Sequence, residues 1–158
     1  MIETSIDARD LDRLVEKLSK SPEIIREAKR KAFEEAAPQL KQAVTVAIGG
    51  TGKVQSWQEQ YVGSRGGYAA VRPKAKTFTE QNGRGKRYAV GYVTNAINSG
   101  HAFPSTSGRN NRYRPRIKSG RQNVPGRGFY QAAEARVPEI AQAAAQKVVD
   151  ALIAHLEE

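Results

Sequence analysis

The spacing of apolar residues predicts a helix near the start of the chain. Leu11, Leu14, Val15 and Leu18 follow the i, i+3, i+4, i+7 repeat that places side chains on one helical face. Asp7 precedes this run and can accept hydrogen bonds from the first free amides, as an N-cap does. Met1–Asp7 alternates between apolar and polar side chains, which predicts a short half-buried strand.

A second helix is predicted to begin at Ser21 and Pro22, because serine is a good cap and proline is tolerated in the first helical turn. Pro38 should kink or restart this helix, since proline offers no amide to the preceding turn. Gly49 and Gly50 should end it. Its apolar stripe consists of Ile24, Ala28, Ala32, Ala36, Leu40, Ala43, Val44 and Ala47.

The middle of the chain changes to a β pattern. Tyr68–Arg72 and Lys86–Ile97 alternate between two sets of side chains, and the two segments could form an antiparallel pair. Their connection, Pro73–Gly85, contains clustered glycine and polar residues, so we expect a long mobile hairpin tip rather than a tight turn. Trp57 and Tyr61, four residues apart, indicate a helical packing pair more than a base-stacking platform.

The longest irregular stretch is Ser99–Gly128, and a loop of that length in a compact domain suggests function or disorder. We expect it to be a mobile loop. The final helix then has Pro138 in its first turn or at a kink. Its apolar residues recur every four positions, at Ile140, Ala144, Val148, Leu152 and Leu156, joined by Val149 and Ile153. Together these elements predict one α+β domain over residues 1–158, with the N-terminal helices and the long C-terminal helix packed on a small antiparallel sheet that carries long basic loops.

Charge is concentrated in the middle of the chain. The 158 residues carry 26 Lys and Arg against 16 Asp and Glu, a formal net charge of +10. Residues 1–47 are neutral, residues 48–128 carry +13 and residues 129–158 carry −3. Such an imbalance points to an acidic partner, either nucleic acid or an acidic protein surface. No run approaches the roughly 18 apolar residues of a membrane span, and the N-terminus does not resemble a signal peptide, so no membrane partner is expected.

Catalytic chemistry finds little support in the composition. The chain has no cysteine and two histidines, His101 and His155, and the acids lie mostly in the terminal helices. The segment Gly49–Val54 resembles a phosphate-binding loop at first, but Ala47 stands where its first glycine belongs and Val54 where its magnesium-binding hydroxyl belongs. No acid–base pair, nucleophile or metal-ligand cluster stands out, so we expect no enzyme, no metal and no cofactor.

The strongest chemical signal is a basic segment interleaved with Asn110, Asn111 and Tyr113. Such a segment can contact phosphates, but a solvated loop or a contact with an acidic neighbour in an assembly would have the same composition. The candidate contact residues are Arg109, Arg112, Arg114, Arg116, Lys118 and Arg121.

The order of three segments resembles a known family. Tyr88–Ile97 is followed by Asn98–His101, a variable basic loop, and Val124–Tyr130, which leads into the final helix. This order is similar to that of the phage tail-component family, the neck or tail-completion proteins of long-tailed phages and prophages. The acidic residue often found before the turn glycine in that family is replaced here by Asn98 and Ser99. The motif positions are Asn98, Gly100, His101, Pro125, Gly126 and Phe129.

The resemblance implies a small α+β virion subunit without catalysis, assembled in the bacterial cytoplasm, that joins a tail to a DNA-filled head. It implies a ring of identical subunits around the DNA channel, with other neck, connector or tail subunits as partners and contact with DNA in the channel. A head-to-tail contact repeated around an axis closes such a ring without a cofactor. The alternative is a non-enzymatic nucleic-acid-binding protein that uses the basic segment 109–121.

Overall fold

The computed structural model describes residues 8–50, 52–102 and 123–157. Contacts divide the chain into two compact units. Unit 1 contains the chain up to Leu40, Gln60–Ala70 and the chain from Arg136 onwards, and unit 2 contains Lys41–Glu59 and Val71–Ala135. The single domain over residues 1–158 stays a prediction.

The predicted fold class is confirmed. The protein is α+β, with a long helix near each end of the chain. The sequence between these helices forms two small two-stranded antiparallel sheets, β1 with β2 and β3 with β4. No helix in the described ranges combines the length and the hydropathy needed to cross a membrane. The elements are α1 (Ala8–Ile48), α2 (Lys53–Ser56), β1 (Gln58–Val62), β2 (Ala69–Pro73), α3 (Val90–Ser99), β3 (Gly100–Ala102), β4 (Asn123–Pro125), α4 (Phe129–Glu134) and α5 (Val137–Glu157).

The prediction of two N-terminal helices is wrong, because α1 is one helix of 41 residues that passes through Pro22 and Pro38. Ser21 is buried and does not cap a helix; its hydroxyl donates to the carbonyl of Lys17 at 3.1 Å. A proline removes one amide from a helix, and the remaining hydrogen bonds and the buried alanine face keep the helix continuous here. The predicted end is confirmed, since α1 stops before Gly49 and Gly50, whose φ angles are 58° and 78°.

Unit 1 has a core of small side chains between α1 and α5. Ala32 and Ala36 of α1 pack with Ile140 and Ala144 of α5, and Leu40 and Val148 pack against this cluster. Alanine at these positions allows the two helices to approach closely. Pro138 is the second residue of α5, which confirms its prediction in the first turn.

The predicted strand Lys86–Ile97 is wrong over most of its length, because residues from Val90 onwards form helix α3. The buried residues of α3 are Val90, Thr94 and Asn98. A spacing of four residues places them on one face of a helix, and because four is an even number it would also place them on one face of a strand. The β-branched content favoured a strand, but burial of this four-residue stripe decided the outcome. Tyr92, which the strand pattern placed beside Val90, is 69% exposed.

The segment predicted as the strand Tyr68–Arg72 corresponds to β2, but its partner is β1 and not the segment after residue 86. The predicted helical pairing of Trp57 with Tyr61 is also wrong. Trp57 ends the short helix α2, and Tyr61 lies in β1 with its ring centroid 5.9 Å from that of Tyr68.

Candidate functional site

The six positions that carry the sequence resemblance meet at one junction in unit 2, where the end of α3 contacts the start of α4. The side-chain oxygen of Asn98 accepts a hydrogen bond from the amide of Tyr130 at 3.0 Å. The backbone carbonyl of Asn98 accepts one from the amide of Gly128 at 2.9 Å, and Arg127 donates to Ile97 at the same distance. Asn98 is buried, so these bonds are shielded from water and tie the two helices together.

Two glycines allow the backbone strands at this junction to cross in close contact. A side chain on Gly100 would lie 2.5 Å from the carbonyl oxygen of Val124 and 2.6 Å from the amide of Gly126. A side chain on Gly126 would lie 2.5 Å from the carbonyl carbon of Ser99. Gly100 also has a φ of 80°, which favours glycine. The motif glycines are therefore required by backbone packing.

Phe129 anchors the junction in the core of unit 2. It is 1% exposed and packs with Val44, Ile48 and Ala133. The neighbouring Tyr130 hydroxyl donates to the Oε1 atom of Gln58 at 2.6 Å. Burial raises the pKa of the Tyr130 phenol, because a phenolate would lose its hydration.

The strands β3 and β4 form a short ribbon in which Gly100 pairs with Pro125 and His101 with Val124. His101 and Pro125 are exposed. Gly100, His101 and Pro125 therefore belong to the ribbon, and Gly126 and Phe129 to the junction of the two helices. Asn98 connects α3 to the start of α4 through its hydrogen bonds with Gly128 and Tyr130. The six basic residues predicted as contacts, Arg109, Arg112, Arg114, Arg116, Lys118 and Arg121, lie outside the described residues, between the two ribbon strands in sequence.

A second basic feature, which we name the basic hairpin, comprises residues 74–90 of unit 2. Phe78 and Ala89 form an antiparallel bridge. The amide of Thr79 donates to the carbonyl of Tyr88 at 2.8 Å, and that of Val90 donates to Thr77 at 2.9 Å. Part of the connection predicted as a mobile tip over 73–85 is therefore a hydrogen-bonded arm; its mobility stays a prediction.

The tip of the basic hairpin is a closed turn. The amide of Gly85 donates to the carbonyl of Asn82 at 2.8 Å, and the amide of Asn82 donates to Lys86 at 3.0 Å. The Asn82 side-chain oxygen accepts from the amides of both Arg84 and Lys86, each at 3.0 Å. Gly85 has a φ of 71°, as expected for the last residue of a three-residue hairpin loop.

The basic hairpin carries a net charge of +4. Its single carboxylate, Glu80, lies 3.7 Å from the Nζ atom of Lys53, outside the hairpin. Within the described part of the chain, no carboxylate pairs with any of the five hairpin cations. All five are exposed: Lys74, Lys76, Arg84, Lys86 and Arg87.

Unit 1 presents two exposed apolar stripes on helices that contact each other. Lys17 of α1 donates from Nζ to the carbonyl of Leu156 in α5 at 2.9 Å, and a ring nitrogen of His155 lies 3.1 Å from the carbonyl of Lys17. The apolar repeats of α1 and α5 predicted a buried face on each helix, but five of their large apolar side chains are about half exposed. The stripes are Leu14, Val15 and Leu18 on α1 and Val149 and Ile153 on α5, with exposures of 46%, 58%, 51%, 48% and 47%.

Unit 1 also contains an open groove of about 750 Å³ between α1 and the loop after β1. Arg26, Arg30 and Arg65 line it together with Glu23 and Glu27, so its charge is mixed. Glu27 forms an ion pair with Lys31 at 3.3 Å, and Arg30 with Glu34 at 3.9 Å. The groove residues therefore include a carboxylate and a guanidinium that are already engaged within α1.

Residues 12–50, 52–102 and 123–157 do not form a cluster of metal-binding side chains. No group of three or more His, Asp or Glu side chains in these ranges is placed to hold a metal ion. The expected absence of catalysis and of cofactors stays a prediction.

Comparison of the chain with models of known protein families, with curated proteins and with solved structures finds no match.

The sequence predicted a hairpin with its tip over Pro73–Gly85 but not the closed turn at that tip, nor the exposure of the two apolar stripes. Asn82-Gly83 followed by Gly85 was the available signal for a tight hairpin turn. The stripes carried no such signal, because a helical face repeats in the same way whether it packs inside the chain or against another molecule.

Proposed function

We propose that this chain is a structural subunit of a tailed phage or prophage virion, acting in head–tail joining or tail completion as part of a ring. The observation that carries the proposal is the pair of exposed apolar stripes on α1 and α5 in unit 1. Large apolar side chains grouped on a protein surface mark interaction sites more often than solvated surface. A ring subunit needs such a face to meet its neighbour.

The motif junction supports the same proposal. Asn98, Gly100, Gly126 and Phe129 serve backbone packing and core burial, as structural positions do. None of them presents a reactive group to a pocket. In sequence, the segment between β3 and β4 begins and ends at this packed junction, and segments that contact other components are commonly held by a packed scaffold of this kind.

The assembly state tests the proposal. Protein treated with nuclease should form a discrete closed ring, measured by light scattering at low and high salt and seen by electron microscopy. Because the proposed contact is apolar, the ring should persist at high salt, which screens surface charges. The variant Leu14→Lys/Ile153→Lys should give monomers with unchanged helix content.

Val46→Lys is the matched control, since Val46 is 74% exposed on α1 but belongs to unit 2. It should assemble as the unsubstituted protein does. A monomer at both salt concentrations would contradict the ring, and a monomer that gains mass only on adding DNA at low salt would favour the nucleic-acid-binding alternative.

A further inference from the structure

We infer that the basic hairpin, residues 74–90, binds the phosphate backbone of double-stranded DNA. The hairpin consists of residues other than those of the segment 109–121, and the inference does not depend on the proposed virion role. It rests on the charge, the exposure and the turn geometry of described residues.

The charge of the hairpin is available to a ligand. Lys74, Lys76, Arg84, Lys86 and Arg87 are all exposed, and within the described residues none is neutralised by a carboxylate. The hairpin's only acid, Glu80, is already near Lys53. A compact group of cations without acidic partners attracts a polyanion and releases its condensed counterions on binding.

The turn holds the charges at the tip in a defined arrangement. Asn82 fixes the loop through its main chain and through two hydrogen bonds to its side-chain oxygen, so Arg84 and Lys86 extend from an ordered backbone. A preorganised contact loses less conformational entropy on binding than a disordered loop does.

The shape of the hairpin favours a duplex over a single strand. It consists of two antiparallel chain segments joined by one bridge and by main-chain hydrogen bonds and closed by a three-residue loop, and the major groove of B-DNA is wide enough to admit two such segments. The hydrogen bonds place Thr79 opposite Tyr88 and Asn82 opposite Lys86. Two residues, Glu80 and Gln81, therefore lie opposite one residue, Arg87. Such an extra residue increases the local twist of two paired chain segments, which helps them to follow a groove.

Single-stranded nucleic acid would instead need aromatic side chains for stacking. Phe78 is 60% exposed and Tyr88 is 43% exposed, so this surface offers two rings. Phe78 lies in the bridge, six residues before Arg84, whereas Tyr88 lies two residues after Lys86. The competing ligand is therefore tested directly with a Phe78 variant.

The decisive experiment measures the affinity of nuclease-treated protein for a short fluorescent duplex between about 50 and 200 mM salt. Each phosphate contact contributes about −0.9 to the slope of log affinity against log salt. The variant Arg84→Gln/Lys86→Gln/Arg87→Gln should therefore have a slope shallower by about 2.7. The turn itself should survive, since its hydrogen bonds come from main-chain atoms and Asn82.

A matched control removes the same charge elsewhere. Lys20→Gln/Lys31→Gln/Arg136→Gln lowers the net charge equally at exposed positions that form ion pairs with carboxylates three or four residues away. Its slope should stay within error of the unsubstituted protein. Equal slopes for the hairpin variant and the unsubstituted protein would overturn the inference, as would equal losses in the hairpin and control variants.

Two further ligands identify the polyanion. A single strand that binds more tightly than the duplex, and loses affinity on Phe78→Ala, would overturn the duplex assignment. Polyglutamate that displaces the duplex at equal charge concentration would show a general site for acidic proteins and would also overturn it. Ring formation is measured without DNA, so failure of this inference and failure of the proposed function are separate results.

Discussion

At the scale of single residues, Gly126 is the clearest case of a position determined by backbone packing. We predict that Gly126→Ala destabilises the protein by about 1–3 kcal/mol, because the added carbon would meet main-chain atoms of Ser99 and Gly100, which cannot rotate away as a side chain can. Urea unfolding followed by circular dichroism measures the change. Gly83→Ala is the control, since no atom lies within 4 Å of that position. Equal stability of the two variants would contradict the account of the junction.

Tyr130 gives a prediction with a defined pH dependence. Tyr130→Phe should destabilise the protein by about 1–3 kcal/mol at about pH 8, because the Oε1 atom of the buried Gln58 loses its donor. The folded-state pKa of Tyr130 is raised above its ordinary value of 10.0, so the unfolded chain loses this proton first as the pH rises. The stabilisation is complete below about pH 10 and declines above it.

The measurement compares unfolding free energies of the unsubstituted protein and Tyr130→Phe from about pH 8 to pH 11. The difference between them should be constant up to about pH 10 and then shrink. Tyr92→Phe, at a site 69% exposed, controls for the loss of a hydroxyl and should have no effect. A difference that grows with pH would refute the assigned direction of the pKa shift.

Single residues also show where sequence reasoning was sufficient. Gly49 and Gly50 could be predicted to end α1, because a glycine stop is a local property of the backbone. The structural role of Gly126 could be suspected from the resemblance alone, since its contacts are with residues more than 20 positions earlier. Nothing in its neighbouring sequence encodes those contacts.

At the scale of elements, the packing of α1 against α5 depends on small side chains. We predict that Ala144→Leu destabilises the protein by about 1–3 kcal/mol, because Ala144 is buried against Ala32 and Ala36 and a larger side chain would force the helices apart. Ala145→Leu is matched in helix propensity and in added volume, and Ala145 is exposed. Thermal unfolding should therefore separate the two variants, and equal melting temperatures would show that α5 does not pack through this face.

The elements that could be predicted were those with a long repeat. The four-residue stripe of α5 appears in the structure, with Ile140 and Ala144 buried and Val148 partly buried. In α3 the stripe Val90, Thr94 and Asn98 is only three residues long, and Thr94 and Asn98 are polar. Such a short stripe cannot outweigh a β-branched composition in a local pattern, so the strand prediction failed there.

The first helix failed for a different reason. Ser21-Pro22 is a local signal for a helix start, but continuity of α1 depends on burial of alanines against residues at the far end of the chain. Propensity signals of this kind are small compared with tertiary packing. The exposed apolar stripes were expected to lie inside the protein because a helical repeat is the same whether the face packs within the chain or against another molecule.

At the scale of the whole molecule, the basic hairpin carries +4 and the segment 109–121 carries +6 of the +13 charge of residues 48–128. If both bind one duplex, their counterion releases add, because each neutralised phosphate contributes independently to the salt slope. Arg112→Ala/Arg114→Ala/Arg116→Ala alone should then lower the slope by about 2.7, and its combination with the hairpin triple variant by about 5.4. Salt titration with a duplex long enough to span both surfaces measures each slope.

The basic hairpin and the segment 109–121 can also bind separate duplexes. The combined variant distinguishes binding of one duplex from binding of two. Independent binding of separate duplexes would leave a slope set by the stronger surface, so the second triple substitution would change it by less than about 2.7. Assembly provides the internal control, because the proposed ring contact uses apolar residues of unit 1 and none of the six substituted positions. A combined variant that assembles normally, yet has lost the salt dependence of DNA binding, would separate the subunit contact from the nucleic-acid contact in one molecule.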